Sequence, residues 1–104
     1  MTQGTTPSYV ITLKNKDINF DDIEIFVITL KSCSAEVTHT SEESCVTLDN
    51  EKKKITLTLT QEETLSFKEG EAEMQLRGKF IAGTAFASKV CRVSVERSLY
   101  KEVI

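Results

Sequence analysis

The chain has 104 residues, of which 39% are hydrophobic and 28% are charged, and this size and mixture fit one globular domain. The formal net charge of −3 provides no basic field for a phosphate backbone, so nucleic acid is not an expected partner. No apolar run approaches the roughly 20 residues of a membrane span, and the start lacks the pattern of a secretion signal. We therefore expect no membrane partner and synthesis in the cytoplasm.

The N-terminal part predicts a leader followed by the first strand. Residues 1–8 are polar, so they predict a flexible leader, and residues 9–104 predict a single domain. Apolar and polar side chains alternate over residues 9–13, which indicates a strand that is half buried. The polar residues 14–22 then predict a loop with a small apolar plug.

The second predicted strand covers residues 23–30 and is apolar on both faces. One face carries Phe26, Ile28 and Leu30, whereas the other carries Ile23, Ile25 and Val27. A strand of this kind must be covered twice, and two interpretations follow. Either the loop over residues 15–22 or the C-terminal segment covers the second face of a central strand, or another subunit does so.

Five further strands and one helical turn follow along the chain. The predicted strands cover residues 35–40, 45–48, 55–60, 72–80 and 87–95. Thr60 and Glu63 fit a capping box, so a helical turn is predicted over residues 61–65, after the fifth strand. The predicted fold class is therefore all-β: an immunoglobulin-like antiparallel β-sandwich of about seven strands with one short helical turn. A small closed barrel is the alternative.

The cysteines and the single histidine do not form a recognised chemical motif. Cys33, Cys45 and Cys91 are too widely spaced for a zinc motif or a paired disulfide framework, so we expect reduced thiols. Cys91 has the apolar parity of its strand and is predicted to pack in the core. His39 lies at a strand end with no partner visible in the sequence, which favours a surface or hydrogen-bonded histidine over a catalytic one.

The usual motifs of enzymes and cofactor sites are missing. The sequence contains no glycine-rich phosphate loop, no HExxH, no GxSxG and no CxxC. We therefore predict no catalytic residue, no cofactor and no metal ligand. A binding or structural role is favoured by elimination.

Several stretches together cover nearly the whole chain and point to one family. They are MTQGTTPSYVITL, ITLTLTQEETLSF, AEMQLRGKF, GTAFASKVCRVSVERSL and KEVI. The chain resembles a small protein family encoded in prophages of Gram-positive bacteria, near tail and baseplate genes. It is also similar to the N-terminal domain of phage baseplate upper proteins, in which a strand pair ends in a similar LTQE-type turn. The resemblance implies a β-sandwich of a virion or assembly component, with no assigned activity.

The chain departs from that family at two places. One is the loop over residues 41–44, and the other is Arg77, Gly78 and Lys79, where an aliphatic residue is usual. Glycine inside a strand often marks a bulge, so we expect a local bulge at Gly78.

The expected function is that of a non-enzymatic structural or adaptor protein of a phage tail or baseplate, acting through protein–protein contacts. Its partners are proteins of that assembly, a homo-oligomer is one option, and a tail component would end in the virion. The candidate interface consists of apolar residues from the second strand and the C-terminal segment: Phe26, Ile28, Leu30, Leu99, Tyr100 and Val103. The alternative is a carbohydrate or host-surface binding module, although aromatic residues are few; an enzyme ranks third.

Overall fold

Two antiparallel β-sheets and one short helix make up the computed structural model, which describes residues 1–104, with 47% of residues in strands. In chain order the elements are β1 (Ser8–Thr12), β2 (Ile23–Lys31), β3 (Glu36–Thr40), β4 (Val46–Asp49), β5 (Lys54–Thr58), α1 (Gln61–Leu65), β6 (Gly70–Phe80), β7 (Ala85–Ala87) and β8 (Cys91–Val95). The prediction of an all-β protein with one helical turn after the fifth strand is confirmed. No helix has the length and apolar character to cross a membrane.

The strands divide into a sheet of three and a sheet of five. The smaller sheet has the order β1-β5-β4, and the larger has β3-β2-β6, with β7 and β8 both paired to the far edge of β6. The strand predicted over residues 87–95 is thus two strands. Ser88 lies between them, and its N–H donates to the carbonyl oxygen of Leu76 at 2.8 Å while its hydroxyl accepts from the Leu76 N–H at 3.0 Å. The structure therefore has eight strands where the sequence predicts seven.

The core forms where the inner faces of the two sheets meet. Alternation along β2 places Phe26, Ile28 and Leu30 on its inner face, where each is at most 1% exposed. They belong to one cluster with the buried Ile55 and Leu57 of β5. Full burial of a side chain of this size stabilises the fold by about 1.5–3 kcal/mol. Each sheet therefore covers the apolar face of the other.

The capping box predicted from the sequence defines the start of α1. The Thr60 hydroxyl accepts from the Glu63 N–H at 3.2 Å, and Glu63 Oε1 accepts from the Thr60 N–H at 2.9 Å. These bonds satisfy two N–H groups that a helix start would leave unpaired. The helical turn carries the chain from the smaller sheet to the larger one, and Phe67 follows it into the core.

Residues 1–8, for which the sequence predicts a flexible leader, are hydrogen-bonded to three other parts of the chain. Gln3 is 7% exposed, and its side-chain amide donates to the carbonyl oxygen of Phe67 at 2.6 Å. The Gln3 N–H donates to the carbonyl oxygen of Glu96 at 3.0 Å, and Thr2 forms a parallel bridge with Glu96. The hydroxyl of the buried Thr64 accepts from the Gly4 N–H at 2.9 Å.

The bulge lies in β2 and not at Gly78, so the prediction of a bulge there is wrong. Gly78 stays in register between Phe26 of β2 and Phe86 of β7, whereas the β2–β6 register shifts between Ile23 and Ile25. The shift lets Ile23 pack against the core although it shares the sequence parity of Ile25. A glycine is needed at position 78 because a Cβ there would lie 2.4 Å from Phe86 Cζ.

Cys91 is exposed, so the prediction that it packs in the core is wrong. It lies on the same face of β8 as the buried Val93 and Val95. However, it is the first residue of this strand, where it pairs with Met74. There it lines an open groove together with Ile11. Alternation along a strand predicts which face a side chain lies on. It does not predict how far the opposite sheet covers that face.

The contact between Gly78 and Phe86 is open to a direct test. Replacing a strand glycine by alanine at an unobstructed position stabilises a protein by about 0.4–1 kcal/mol. We expect Gly78→Ala to have the opposite effect and to lower the free energy of unfolding by about 1–3 kcal/mol, because the new methyl group overlaps the Phe86 ring. Denaturant unfolding followed by circular dichroism measures this.

The Phe86→Leu variant provides the control. In the double variant the smaller side chain leaves room for the methyl group, so Gly78→Ala costs less than it does alone. An unchanged unfolding midpoint for the single Gly78→Ala variant would contradict the close contact.

Candidate functional site

The structure divides the predicted interface residues into two groups. Phe26, Ile28 and Leu30 lie inside the chain, in the core between the sheets. Leu99, Tyr100 and Val103 are 89%, 60% and 49% exposed. Of the predicted interface residues, only the C-terminal group is therefore exposed to a partner.

The outer face of β2 is half-buried and flanked by long polar side chains. Ile25 and Val27 lie on this face, beside Lys79 and Arg77 of β6 respectively. The loop before β2 does not cover them, because Phe20 packs edge-on against Phe26 on the inner face with 5.1 Å between the ring centroids. That loop plugs one end of the core.

The C-terminal segment, residues 97–104, is held in place by two glutamines. Gln3 Oε1 accepts from the Ser98 N–H at 3.1 Å and from the Lys101 ammonium group. Gln61 Oε1 accepts from the Ile104 N–H at 2.8 Å. Hydrogen bonds to the main chain thus fix the segment while its apolar side chains remain exposed.

The exposed apolar residues are concentrated in this segment. Eight large hydrophobic side chains are exposed in the whole chain, and four of them lie within the last six residues: Leu99, Tyr100, Val103 and Ile104. Half of the exposed large hydrophobic residues therefore lie in this one short segment.

A second cluster forms around His39. In the β2–β3 ladder His39 lies opposite the buried Ile28, so its side chain points to the inner side of the larger sheet. Because β3 is an edge strand, the ring reaches the start of α1. Its Nδ1 hydrogen-bonds to Glu43 and its Nε2 to Glu63, and the side chain is 18% exposed. His39 thus links the larger sheet to the helical turn.

The turn between β3 and β4 places Glu43 and Cys45 beside this ring. The Glu43 N–H donates to the carbonyl oxygen of Thr40, and the Val46 N–H donates to that of Glu43, both at 3.1 Å. The Cys45 thiol lies 3.6 Å from Glu43 Oε2. Candidate ligand atoms of His39, Glu43 and Cys45 all lie within 4.8 Å of one another.

The carboxylates raise the pKa of His39. Burial alone would lower it, but hydrogen bonds and charge interactions with Glu43 and Glu63 outweigh burial, so the pKa lies above its ordinary value. The pKa of Glu43 is lowered, chiefly by its hydrogen bond to His39. Burial opposes ionisation of Glu63, but hydrogen bonds from the Thr60 N–H and from His39 lower its pKa. The imidazolium and carboxylate forms therefore stabilise one another.

Cys45 is not an activated nucleophile in this arrangement. Burial and the neighbouring Glu43 carboxylate both raise the pKa of its thiol. Reactive cysteines need the opposite environment, with a cation or a helix N-terminus that favours the thiolate. The cluster can hold a proton or a cation between its oxygen, nitrogen and sulfur atoms.

Sequence reasoning identified His39 but found none of its partners. Glu43 and Cys45 follow at positions 39+4 and 39+6, and this His-x₃-Glu-x-Cys spacing is the one local signal that was available. The sequence predicts only the capping bond of Glu63. In the structure Glu63 Oε1 accepts from the Thr60 N–H, while Oε2 hydrogen-bonds to His39. That second contact depends on how β3 meets α1.

No protein-family model matches the chain, and no curated protein shows significant sequence similarity to it.

The His39 cluster predicts a dependence of stability on pH. The pKa of His39 is higher in the folded state than in the unfolded state, so its protonation stabilises the fold. This stabilisation is complete below the unfolded-state pKa of about 6.5 and is lost as pH rises through the folded-state pKa. The pKa values of Glu43 and Glu63 are lower in the folded state, so their ionised forms stabilise the fold. This stabilisation is complete above the unfolded-state pKa of about 4.3 and is lost as pH falls through the folded-state values. The cluster therefore contributes most between these limits, with His39 charged and both carboxylates ionised.

The His39→Gln variant isolates this contribution. With a chelator present, we expect the melting temperature of the wild type to fall by roughly 2–4 °C relative to this variant as pH rises from about 6.5 through the raised pKa of His39. Differential scanning calorimetry at several pH values measures the difference. Parallel profiles for the two proteins would show that His39 and its carboxylates do not couple to folding.

Proposed function

We propose that the protein is a non-enzymatic structural or adaptor module that acts through protein–protein contacts, and that the C-terminal segment is its contact surface. The concentration of exposed apolar side chains at Leu99, Tyr100 and Val103 carries the proposal. Interfaces between proteins are built around such apolar and aromatic anchors. Hydrogen bonds to Gln3 and Gln61 hold the segment in position, which lowers the entropy lost on binding.

The proposed fold is immunoglobulin-like in the broad sense. The order β1-β5-β4 corresponds to strands B, E and D of that fold, without a strand in the A position. The order β3-β2-β6, followed by β7 and β8, corresponds to C′, C, F and a divided G. These correspondences support the assignment, because each sheet also joins two strands that are distant in the chain, β1 with β5 and β2 with β6, as in that fold.

The proposed setting is a phage tail or baseplate. It derives from the resemblance of the chain to a prophage-encoded family found near tail and baseplate genes. The partner is then a protein of the same assembly, and repeated copies in such particles also allow contacts between identical chains. In this setting the protein is made in the host cytoplasm and ends in the virion.

The proposal is tested by following assembly. We expect the wild type to co-purify with tail particles from an induced lysogen, or to form a defined oligomer in light scattering. The Leu99→Glu/Tyr100→Glu variant should lose this association, because it places two charges in the contact surface. Its melting temperature should stay near that of the wild type, since both side chains are exposed.

The matched control is Ile81→Glu, which changes another exposed apolar residue, 69% exposed, in the turn between β6 and β7. It should assemble like the wild type. A strict monomer that is absent from purified particles, or equal loss of assembly in the control, would overturn the proposal. A selective signal on a glycan array would favour a carbohydrate-binding module instead.

A further inference from the structure

The geometry points to a zinc site formed by His39 Nδ1, a carboxylate oxygen of Glu43 and the Cys45 thiolate, with Glu63 as the positioning residue for the imidazole. Water completes the coordination in a fourth position. The site lies at the β3–β4 turn, and its Cys45 lines the same cleft as Val103 of the C-terminal segment. The zinc proposal is argued from the ligand atoms themselves and does not rest on the proposed function.

One pair of the candidate ligand atoms already has the spacing of a tetrahedral zinc site. Zinc bonds of about 2.3 Å to sulfur and about 2.0 Å to oxygen place these two atoms about 3.5 Å apart in a tetrahedron. In the structure Cys45 Sγ and Glu43 Oε2 are 3.6 Å apart, and His39 contributes a nitrogen within 4.8 Å of both. His39 Nδ1 and Glu43 are in direct hydrogen-bond contact, so these two groups must move apart to admit the ion.

The donor set also selects the type of metal. Imidazole nitrogen, thiolate sulfur and carboxylate oxygen together suit zinc, whereas calcium and magnesium prefer oxygen ligands alone. Two anionic ligands, Glu43 and the Cys45 thiolate, balance the charge of a divalent ion. A third anion, Glu63, lies on the other side of the imidazole.

Glu63 hydrogen-bonds to Nε2, the ring nitrogen of His39 that does not face Glu43. Metal-bound histidines usually donate their other ring N–H to a carboxylate, which fixes the tautomer and the ring orientation. His39 Nε2 is hydrogen-bonded to Glu63, and the capping bond from the Thr60 N–H holds that carboxylate in place. Nδ1 is thus the nitrogen that faces Glu43 and is available to the metal.

Zinc binding releases protons from the ligand side chains. The Sγ–H bond of Cys45 breaks, a Zn–S bond forms, and the proton passes to water. When His39 is an imidazolium, its Nδ1 proton is released as well, and the metal takes the place of the hydrogen between Nδ1 and Glu43. No oxidant or reductant takes part.

The test uses the full chain with Cys33→Ser and Cys91→Ser, so that Cys45 is the single thiol. Both replaced cysteines are exposed and lie outside the cluster. Titration with Co²⁺ alone should give one equivalent of binding and a thiolate-to-cobalt charge-transfer band in the near ultraviolet. Zn²⁺ should then displace the cobalt and abolish the band.

Single substitutions in this parent protein assign the ligands. Cys45→Ser should remove the charge-transfer band, and His39→Gln or Glu43→Gln should each weaken Zn²⁺ binding at least tenfold. Glu63→Gln should weaken it about 10–100-fold while its amide oxygen keeps the capping bond to Thr60. Glu62→Gln is the matched control in the same helical turn and should bind like the parent.

Two outcomes would overturn the zinc site. Either no charge-transfer band in the folded parent protein, or unchanged Zn²⁺ affinity in Cys45→Ser, would exclude it. Circular dichroism of every variant checks that the fold is retained. A rise in melting temperature with Zn²⁺ in the parent and in Glu62→Gln, but not in Cys45→Ser, gives a second measure of the same binding.

Discussion

The hydrogen-bonded ladder around β6 is the constraint on which most of this structure depends. This strand pairs with β2 along one edge and with both β7 and β8 along the other, and it is the longest strand of the protein. Its inner face brings Ala72 and Leu76 into the core, and Gly78 gives space to an aromatic ring. A shift of β6 by one residue would turn this face outward and expose the apolar side of the whole sheet.

Hydrogen bonds to α1 position three parts of the chain outside the core. Three hydrogen bonds meet at this short helix: Glu63 bonds to His39, Gln61 to the C-terminal segment, and Thr64 to the residues before β1. Each bond joins parts of the chain that are at least 24 residues apart. The His39 cluster and the exposed C-terminal segment are therefore both positioned by the connection between the sheets.

Local patterns predicted the parts of the fold that depend on neighbouring residues. Alternation identified the sheets, and the Thr60–Glu63 spacing identified the helical turn. Alternation along β2 showed two apolar faces, but not that the face of Phe26 is the inner one, because this depends on the opposite sheet. The environment of His39 was equally inaccessible, since Glu63 reaches it only after β3 and α1 come together. The exposed position of Cys91 depends on where the smaller sheet ends.

The bridge between Thr2 and Glu96 has a further consequence for solubility. An open sheet edge offers unpaired N–H and C=O groups to any other strand, which favours edge-to-edge aggregation. The first residues occupy the edge just beyond β8: the Glu96 N–H donates to the carbonyl oxygen of Met1 at 2.8 Å, and the Gln3 N–H donates back to Glu96. Proteolytic loss of these few residues would leave the N–H and C=O groups of Glu96 open to pairing with another strand.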